Sequence, residues 1–162
     1  MKSSLRRPLG LFAAALLSAA AGCSSKDGAS PAVPSPTGHQ AALCRDLHRA
    51  LPGTVGGLKR RPTDPASDFT AAWGDGPVIT LRCGVPRPAM FDKVTTQSAE
   101  IEGVDWAPEK LSDGSVRCTT SLRPVYIEVT LPKKITGAGG DMSALIDLAA
   151  AVNKTVPADS TG

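Results

Sequence analysis

Val125-Tyr126-Ile127-Glu128-Val129-Thr130-Leu131 sets an apolar side chain at every second position, and Ile79-Thr80-Leu81-Arg82-Cys83-Gly84-Val85 repeats the pattern. Successive side chains of a strand point to opposite faces, so a period of two marks a strand with one buried and one wetter face. Working outward, weaker strands are expected at residues 54–61, 69–73, 98–104 and 116–120. The turn signals Asp75-Gly76-Pro77, Pro86-Arg87-Pro88 and Asp113-Gly114 separate them. Before the strands, residues 40–51 carry Leu43, Leu47, Ala50 and Leu51 at helical spacing, and Pro52-Gly53 stops the run. After them, Asp141 can cap a second helix whose apolar stripe is Met142, Leu145, Ile146, Ala149 and Val152. Strands bracketed by two helices predict an α+β fold: an antiparallel sheet with the N-terminal and the C-terminal helix packed on one face. Strand phase then sends Arg82, Arg117, Tyr126, Glu128, Glu100 and Glu102 to the open face.

The chain has 162 residues, 41% hydrophobic and only 4% aromatic, with 14 Pro and 16 Gly. That supports one modest core and excludes a multidomain enzyme, a coiled coil or a collagen-like rod. Residues 39–157 are read as the single domain, with a disordered tail at 158–162.

Residues 1–22 read as an export signal. Lys2, Arg6 and Arg7 form a basic start, Leu9 to Ala21 an apolar run, and Ala20, Ala21 and Gly22 lead into Cys23. The run of about 13 residues is too short for a bilayer span, which needs about 20. Small residues directly before Cys23, with Ser24 and Ser25 after it, form a lipobox-like pattern in which Cys23 takes a diacylglyceryl group and becomes the mature N-terminus. Secretion without lipidation is the alternative. The Arg6-Arg7 pair also resembles a twin-arginine signal, but Pro8 and Gly10 depart from it, so the general route is favoured. Residues 24–38, rich in Ser, Ala, Gly and Pro, read as a tether between the lipidated Cys23 and the domain.

Removing Lys2, Arg6 and Arg7 from the 18 basic residues leaves 15, equal to the 15 acidic ones, so the mature chain is formally neutral. That argues against a nucleic-acid partner. Lys59-Arg60-Arg61 is the one basic cluster, read as a solvated strand end rather than a phosphate site.

Trp73-Gly74-Asp75-Gly76-Pro77 leads into Leu81-Arg82-Cys83-Gly84-Val85-Pro86, with Cys44 and Leu51-Pro52 before it and Gly103-Val104-Asp105-Trp106 and Tyr126-Ile127-Glu128-Val129 after it. With these residues the chain resembles the actinobacterial secreted family called domain of unknown function 3515, over about residues 44–157. The resemblance implies a cell-envelope protein, often a lipoprotein, and supplies no catalytic residue. Cys118 stands where the family pattern implies an apolar side chain.

With Cys23 lipidated, Cys44, Cys83 and Cys118 remain in an oxidising compartment. Cys44 sits near the edge of the first helix's apolar face and Cys83 points to the sheet face beneath it, so these two are the natural disulfide; Cys118 shares the inward phase and competes. A zinc site from Cys44, His48, Cys83 and Cys118 is the sharper alternative, but no Cys-x-x-Cys pair supports it. No metal or other cofactor is therefore expected.

Catalytic templates are lacking. There is no Gly-x-Ser-x-Gly elbow and no His-Glu-x-x-His pair, and Gly137 to Gly140 lack the Lys-Ser or Lys-Thr of a phosphate loop. A carboxylate pair such as Glu100 and Glu102, spaced to share a strand face, would suit a wall hydrolase, but alternating Glu on an exposed strand is commonplace. The expectation is a non-enzymatic binding or accessory lipoprotein on the outer face of the cytoplasmic membrane, with a cell-wall component or envelope protein as partner. The alternatives are a cell-wall hydrolase or a secreted, unlipidated protein. Arg82, Trp73, Trp106 and Tyr126 are the candidate binding residues, the two Trp rings being either a ligand platform or core plugs.

Overall fold

A computed structural model of the chain describes residues 29–159. Residues 1–22, expected to be an export signal, Cys23, residues 24–28 and residues 160–162 lie outside the described residues.

The order of elements is α1 (Gly38–Ala50), β1 (Thr54–Val55), β2 (Leu58–Arg61), β3 (Thr70–Trp73), β4 (Ile79–Val85), β5 (Ala99–Ile101), β6 (Val104–Lys110), β7 (Val116–Thr120), β8 (Tyr126–Leu131), α2 (Lys133–Thr136) and α3 (Ile146–Thr155). Short 3₁₀ turns at Ala89–Asp92 and Ser143–Leu145 join them. All eight strands form one antiparallel sheet in the order β1-β2-β3-β4-β8-β7-β6-β5. Two meanders, β1 to β4 and β5 to β8, thus meet along β4 and β8. The fold is mixed α+β and mostly sheet.

Alternation places the core. On β4, Ile79, Leu81, Cys83 and Val85 are buried while Thr80, Arg82 and Gly84 are not. The same cluster takes Ile127, Val129 and Leu131 from β8, Val116 and Cys118 from β7, Cys44 and Leu47 from α1, and Leu148, Ala149 and Val152 from α3. Cys44 and Cys83 are joined by a disulfide with their Cα atoms 5.5 Å apart, which ties α1 to β4. Arg123, buried in the turn before β8, donates to the carbonyls of Val156 and Gly103 and to Asn153 Oδ1, linking the end of α3 to the β5–β6 turn. Among the described residues no helix is long and apolar enough to cross a membrane.

Several expectations are corrected. Residues 54–61 are a hairpin rather than one strand: Gly56 and Gly57, both at positive φ, form its two-residue loop, which is glycine's role in such turns. Residues 98–104 likewise turn at Glu102-Gly103, both at positive φ, so Glu102 leaves the strand face it was to share with Glu100. The chain then runs on as β6, a strand not among those expected. Pro108 lies beyond the part of β6 that β5 covers, where an edge position tolerates a missing N–H. Asp141 does cap, accepting from the Ser143 N–H at 2.8 Å, but it serves the 3₁₀ turn before α3, and Ile146 of the expected stripe is half exposed. In the tail, the Asp159 N–H donates to the Leu122 carbonyl at 2.9 Å.

The largest difference concerns the tether. Residues 29–37 lie on the domain as a strap. Ala29 bridges Thr63 in parallel, and its carbonyl accepts from the Asp64 N–H at 3.3 Å. The Ala32 carbonyl accepts from Arg82 Nε at 2.8 Å, and Pro34 is buried. Pro36 packs on Gly84, the bulged residue of β4, whose φ is +88° and where any Cβ would stand 2.5 Å from the proline ring. Glycine there serves both the bulge and the close approach. The sheet face expected to be wet is therefore partly roofed by the chain's own N-terminal segment.

Candidate functional site

The candidate residues from the sequence do not converge. Trp73 on β3 and Trp106 on β6 are both fully buried, with three strands between theirs. The Trp73 indole N–H donates to the Pro52 carbonyl at 3.0 Å, and the Trp106 indole N–H has no partner among the described residues. Both rings are core, so neither is a ligand platform.

Arg82 is engaged on two sides. Besides its bond to Ala32, its guanidinium donates to Glu128 Oε1 at 2.9 Å across the β4–β8 register pair. Glu128 is buried, with Arg117 Nε 3.8 Å from its second oxygen. Arg82 was expected to make a solvated ion pair or to grip a ligand; under the strap it makes a half-buried pair.

Tyr126, at the start of β8, is part of a small aromatic cluster. Its ring stacks on Phe91 at 5.6 Å, its hydroxyl accepts from Arg87 at 3.1 Å, and the Arg87 guanidinium sits 5.5 Å over Phe91. The hydrogen bond to Tyr126 is the chief cause that raises the pKa of Arg87. Leu122 and Arg123 complete a shallow depression of about 340 Å³ there.

A larger cleft, about 570 Å³, opens between the C-terminal end of α1, β2 and the β2–β3 connection. Its charged lining is Arg49, Arg60 and Arg61 against the single carboxylate of Asp68, with hydroxyls from Thr63, Ser67 and Thr70 and the imidazole of His48. The local sequence explains the placement. His48 and Arg49 occupy the last turn of α1, where basic groups complement the helix dipole. Arg60 and Arg61 end β2, and Pro62 carries the chain out of the strand into the connection.

Arg60 is half-buried and makes every hydrogen bond to a neutral acceptor: the Leu51 carbonyl at 3.2 Å, the His48 carbonyl at 3.2 Å and His48 Nε2 at 3.1 Å. A guanidinium only donates, so Nε2 must accept and His48 is the neutral imidazole with its proton on Nδ1. The pKa of His48 is lowered accordingly, first by burial and then by the positive Arg60, with Asp68 and the Thr70 backbone acting the other way. Burial also lowers Arg60. Arg61 donates to the Gly74 carbonyl at 3.0 Å and lies 3.4 Å from the exposed Asp75. Arg49, at the lip, pairs with Asp46. Lys59-Arg60-Arg61, expected as a solvated strand end, divides: Lys59 is exposed, but Arg60 and Arg61 form walls of the cleft, and His48, weighed in the sequence as a zinc ligand, lines it as a neutral imidazole.

A family model described as "Protein of unknown function (DUF3515)" matches residues 8–161. The chain belongs to that family. No curated protein and no solved structure matches it. The family description names no activity, so chemistry has to be read from side chains. Cys44 and Cys83 are consumed in their disulfide and are not thiolate ligands for zinc. Cys118, fully buried, has its thiol pKa pushed up to about 12 by burial and contacts Met142 Sδ at 3.5 Å, so it sits in the core as an inert apolar group. Glu100 and Glu102, expected to share a strand face, are divided between a strand and a turn.

Proposed function

We propose that this chain is an extracytoplasmic lipoprotein of the cell envelope: a non-enzymatic binding or accessory domain, exported by the signal at 1–22 and anchored through diacylated Cys23 to the outer face of the cytoplasmic membrane. The observation that carries the reading is the Cys44–Cys83 disulfide inside the core, a bond that persists in oxidising compartments and is rare in the cytosol. The lipobox-like run into Cys23 supports the anchor, since two acyl chains supply stable attachment where one does not. In this reading α1 and α3 together cover one sheet face, the strap covers part of the other, and contacts with an envelope component are made through the clefts at the sheet's ends.

The test is fractionation of cells producing the wild-type chain or Cys23→Ala. Wild type is expected in the detergent-extracted membrane fraction and Cys23→Ala in the soluble or extracellular fraction. Equal membrane retention of the two would overturn the anchor.

A further inference from the structure

We infer that the cavity between the end of β6 and the glycine-rich loop after α2 takes the free C-terminus of an extended peptide, its last side chain inside and its carboxylate at Lys110. The inference deepens the binding-domain reading above by naming a ligand class. Two independent observations meet in it.

The first is the chemistry of the cavity, which holds about 320 Å³, the lower end of the range for ligand sites and enough for one or two residues. Register places Pro108 opposite Cys118 and Lys110 opposite Val116, so both share the core face with Trp106. Both are nevertheless exposed, because that corner of the face is left uncovered. Pro108, Val116 and Met142 give the cavity an apolar lining, and no carboxylate lines it. Lys110 makes no ion pair among the described residues. The neighbouring carboxylates are engaged elsewhere: Asp113 with Ser115, Asp141 with the Ser143 N–H, and Glu109 with Arg117. Thr136, only 2% exposed, also lines the cavity, and its hydroxyl has no partner among the described residues. A buried hydroxyl in that state is costly, and a ligand oxygen would satisfy it. Around the loop, Gly137 N–H donates to the Lys133 carbonyl and Asp141 N–H to the Thr136 carbonyl. Between them the N–H groups of Ala138, Gly139 and Gly140 donate to nothing among the described residues. Backbone donors of this kind, beside an ammonium group, are how peptide carboxylates are captured.

The second is an unpaired strand edge at the same residues. Alternate residues of an antiparallel strand turn their N–H and C=O toward opposite neighbours. The Asp105 carbonyl accepts from Ser121 N–H, and Leu111 N–H donates to the Ser115 carbonyl, so the odd-numbered residues of β6 face β7. Pro108 and Lys110 therefore face the other side, where β5 pairs only as far as Trp106. The Pro108 carbonyl and both backbone groups of Lys110 are left as a short template for an added strand. A peptide paired there sets alternate side chains on the core face, beside those of Pro108 and Lys110 and hence toward the cavity. A free small carboxylate would use Lys110 and the loop but leave this edge unpaired.

The experiment titrates N-acetyl-trialanine, its C-terminal amide and sodium acetate into the isotope-labelled Cys23→Ala chain, otherwise complete, and follows backbone amide shifts. The acid tripeptide is expected to shift Lys110 and Ala138 to Gly140 saturably. Loss of a charge-assisted contact should make the amidated tripeptide bind about tenfold more weakly, and Lys110→Gln should weaken the acid by about the same factor. Acetate, without the edge contacts, should also bind at least about tenfold more weakly. Lys134→Gln, at an exposed position outside the cavity, should change nothing. Thr136→Val should weaken binding about fivefold while leaving Tm equal or higher, because it removes a buried hydroxyl that has no partner. Equal affinity for acid and amide, unchanged affinity in Lys110→Gln or Thr136→Val, or no saturable shift at these amides would overturn the proposal. So would acetate binding as tightly as the tripeptide, which would assign the cavity to a free small carboxylate. Fractionation of Cys23→Ala reads the anchor alone, so this inference and the envelope reading fail separately.

Discussion

Replacing Arg82 by Ala tests whether the strap and the β4–β8 pair act as one unit. Two interactions would be lost: the charge-assisted bond to Glu128 at 2.9 Å and the bond to the Ala32 carbonyl at 2.8 Å. Breaking a fully buried ion pair by removing one partner costs about 3–5 kcal/mol, and a hydrogen bond to a charged group contributes about 1.5–3 kcal/mol. Arg82 is 27% exposed while Glu128 is only 9% exposed, and Arg117 remains 3.8 Å from the carboxylate, so the cost falls toward the lower end, about 2–3 kcal/mol. For a domain of this length that lowers Tm by roughly 8 °C. Urea unfolding of the full chain should show a lower midpoint with an unchanged slope. Limited proteolysis should show faster cleavage within residues 29–37, where the strap has lost its central tie. Glu128→Gln in the Arg82→Ala background should recover part of the loss, because it removes the charge left without its partner. A loss below about 1 kcal/mol with unchanged cleavage of the strap would refute the reasoning and return Arg82 to an ordinary solvated contact.

Three further outcomes follow from the same structure. Replacing Cys44 and Cys83 together by Ala reopens a 39-residue loop and should cost about 4 kcal/mol in urea unfolding; a loss under 1 kcal/mol would mean the bond does not constrain the chain. Cys118 should resist alkylation in the folded protein up to pH about 9 and react fully after unfolding, and rapid modification of the native thiol would contradict its burial. His48 is held neutral with a lowered pKa, so the unfolded chain takes up its proton more readily. The associated stability is present above pH about 6.5 and declines as pH falls through the folded value, an effect kept small by partial exposure; His48→Gln should flatten that slope, and an identical slope would show that His48 does not cause it.

Much of the sheet was legible because it follows period two. β4 and β7 match residues 79–85 and 116–120 to the residue, and α1 is displaced by only one or two positions from 40–51. The disulfide was legible because strand and helix phase face Cys44 toward Cys83. Where chemistry outweighed period, the reading failed. Gly56-Gly57 and Glu102-Gly103 are two-residue turns hidden inside apparently continuous strands, although Gly56-Gly57 is itself a hairpin signal. The strap was illegible for a different reason: it holds on through backbone carbonyls of Ala29 and Ala32 and through proline rings against Gly84, none of which gives a periodic pattern. The cleft is drawn from α1, β2 and the β2–β3 connection, so only its Arg60-Arg61 element was visible as a sequence run. Of the two roles open to Trp73 and Trp106 in the sequence, ligand platform or core plug, the structure selects the second, because strands β3 and β6 carry both rings into the core.

The most direct measurement of the central claim is the mass of the N-terminal peptide of the mature protein from cells. An envelope lipoprotein must begin at Cys23, with residues 1–22 removed and a diacylglyceryl group on the Cys23 sulfur. A mature chain that begins elsewhere, or that carries Cys23 unmodified, would contradict the account.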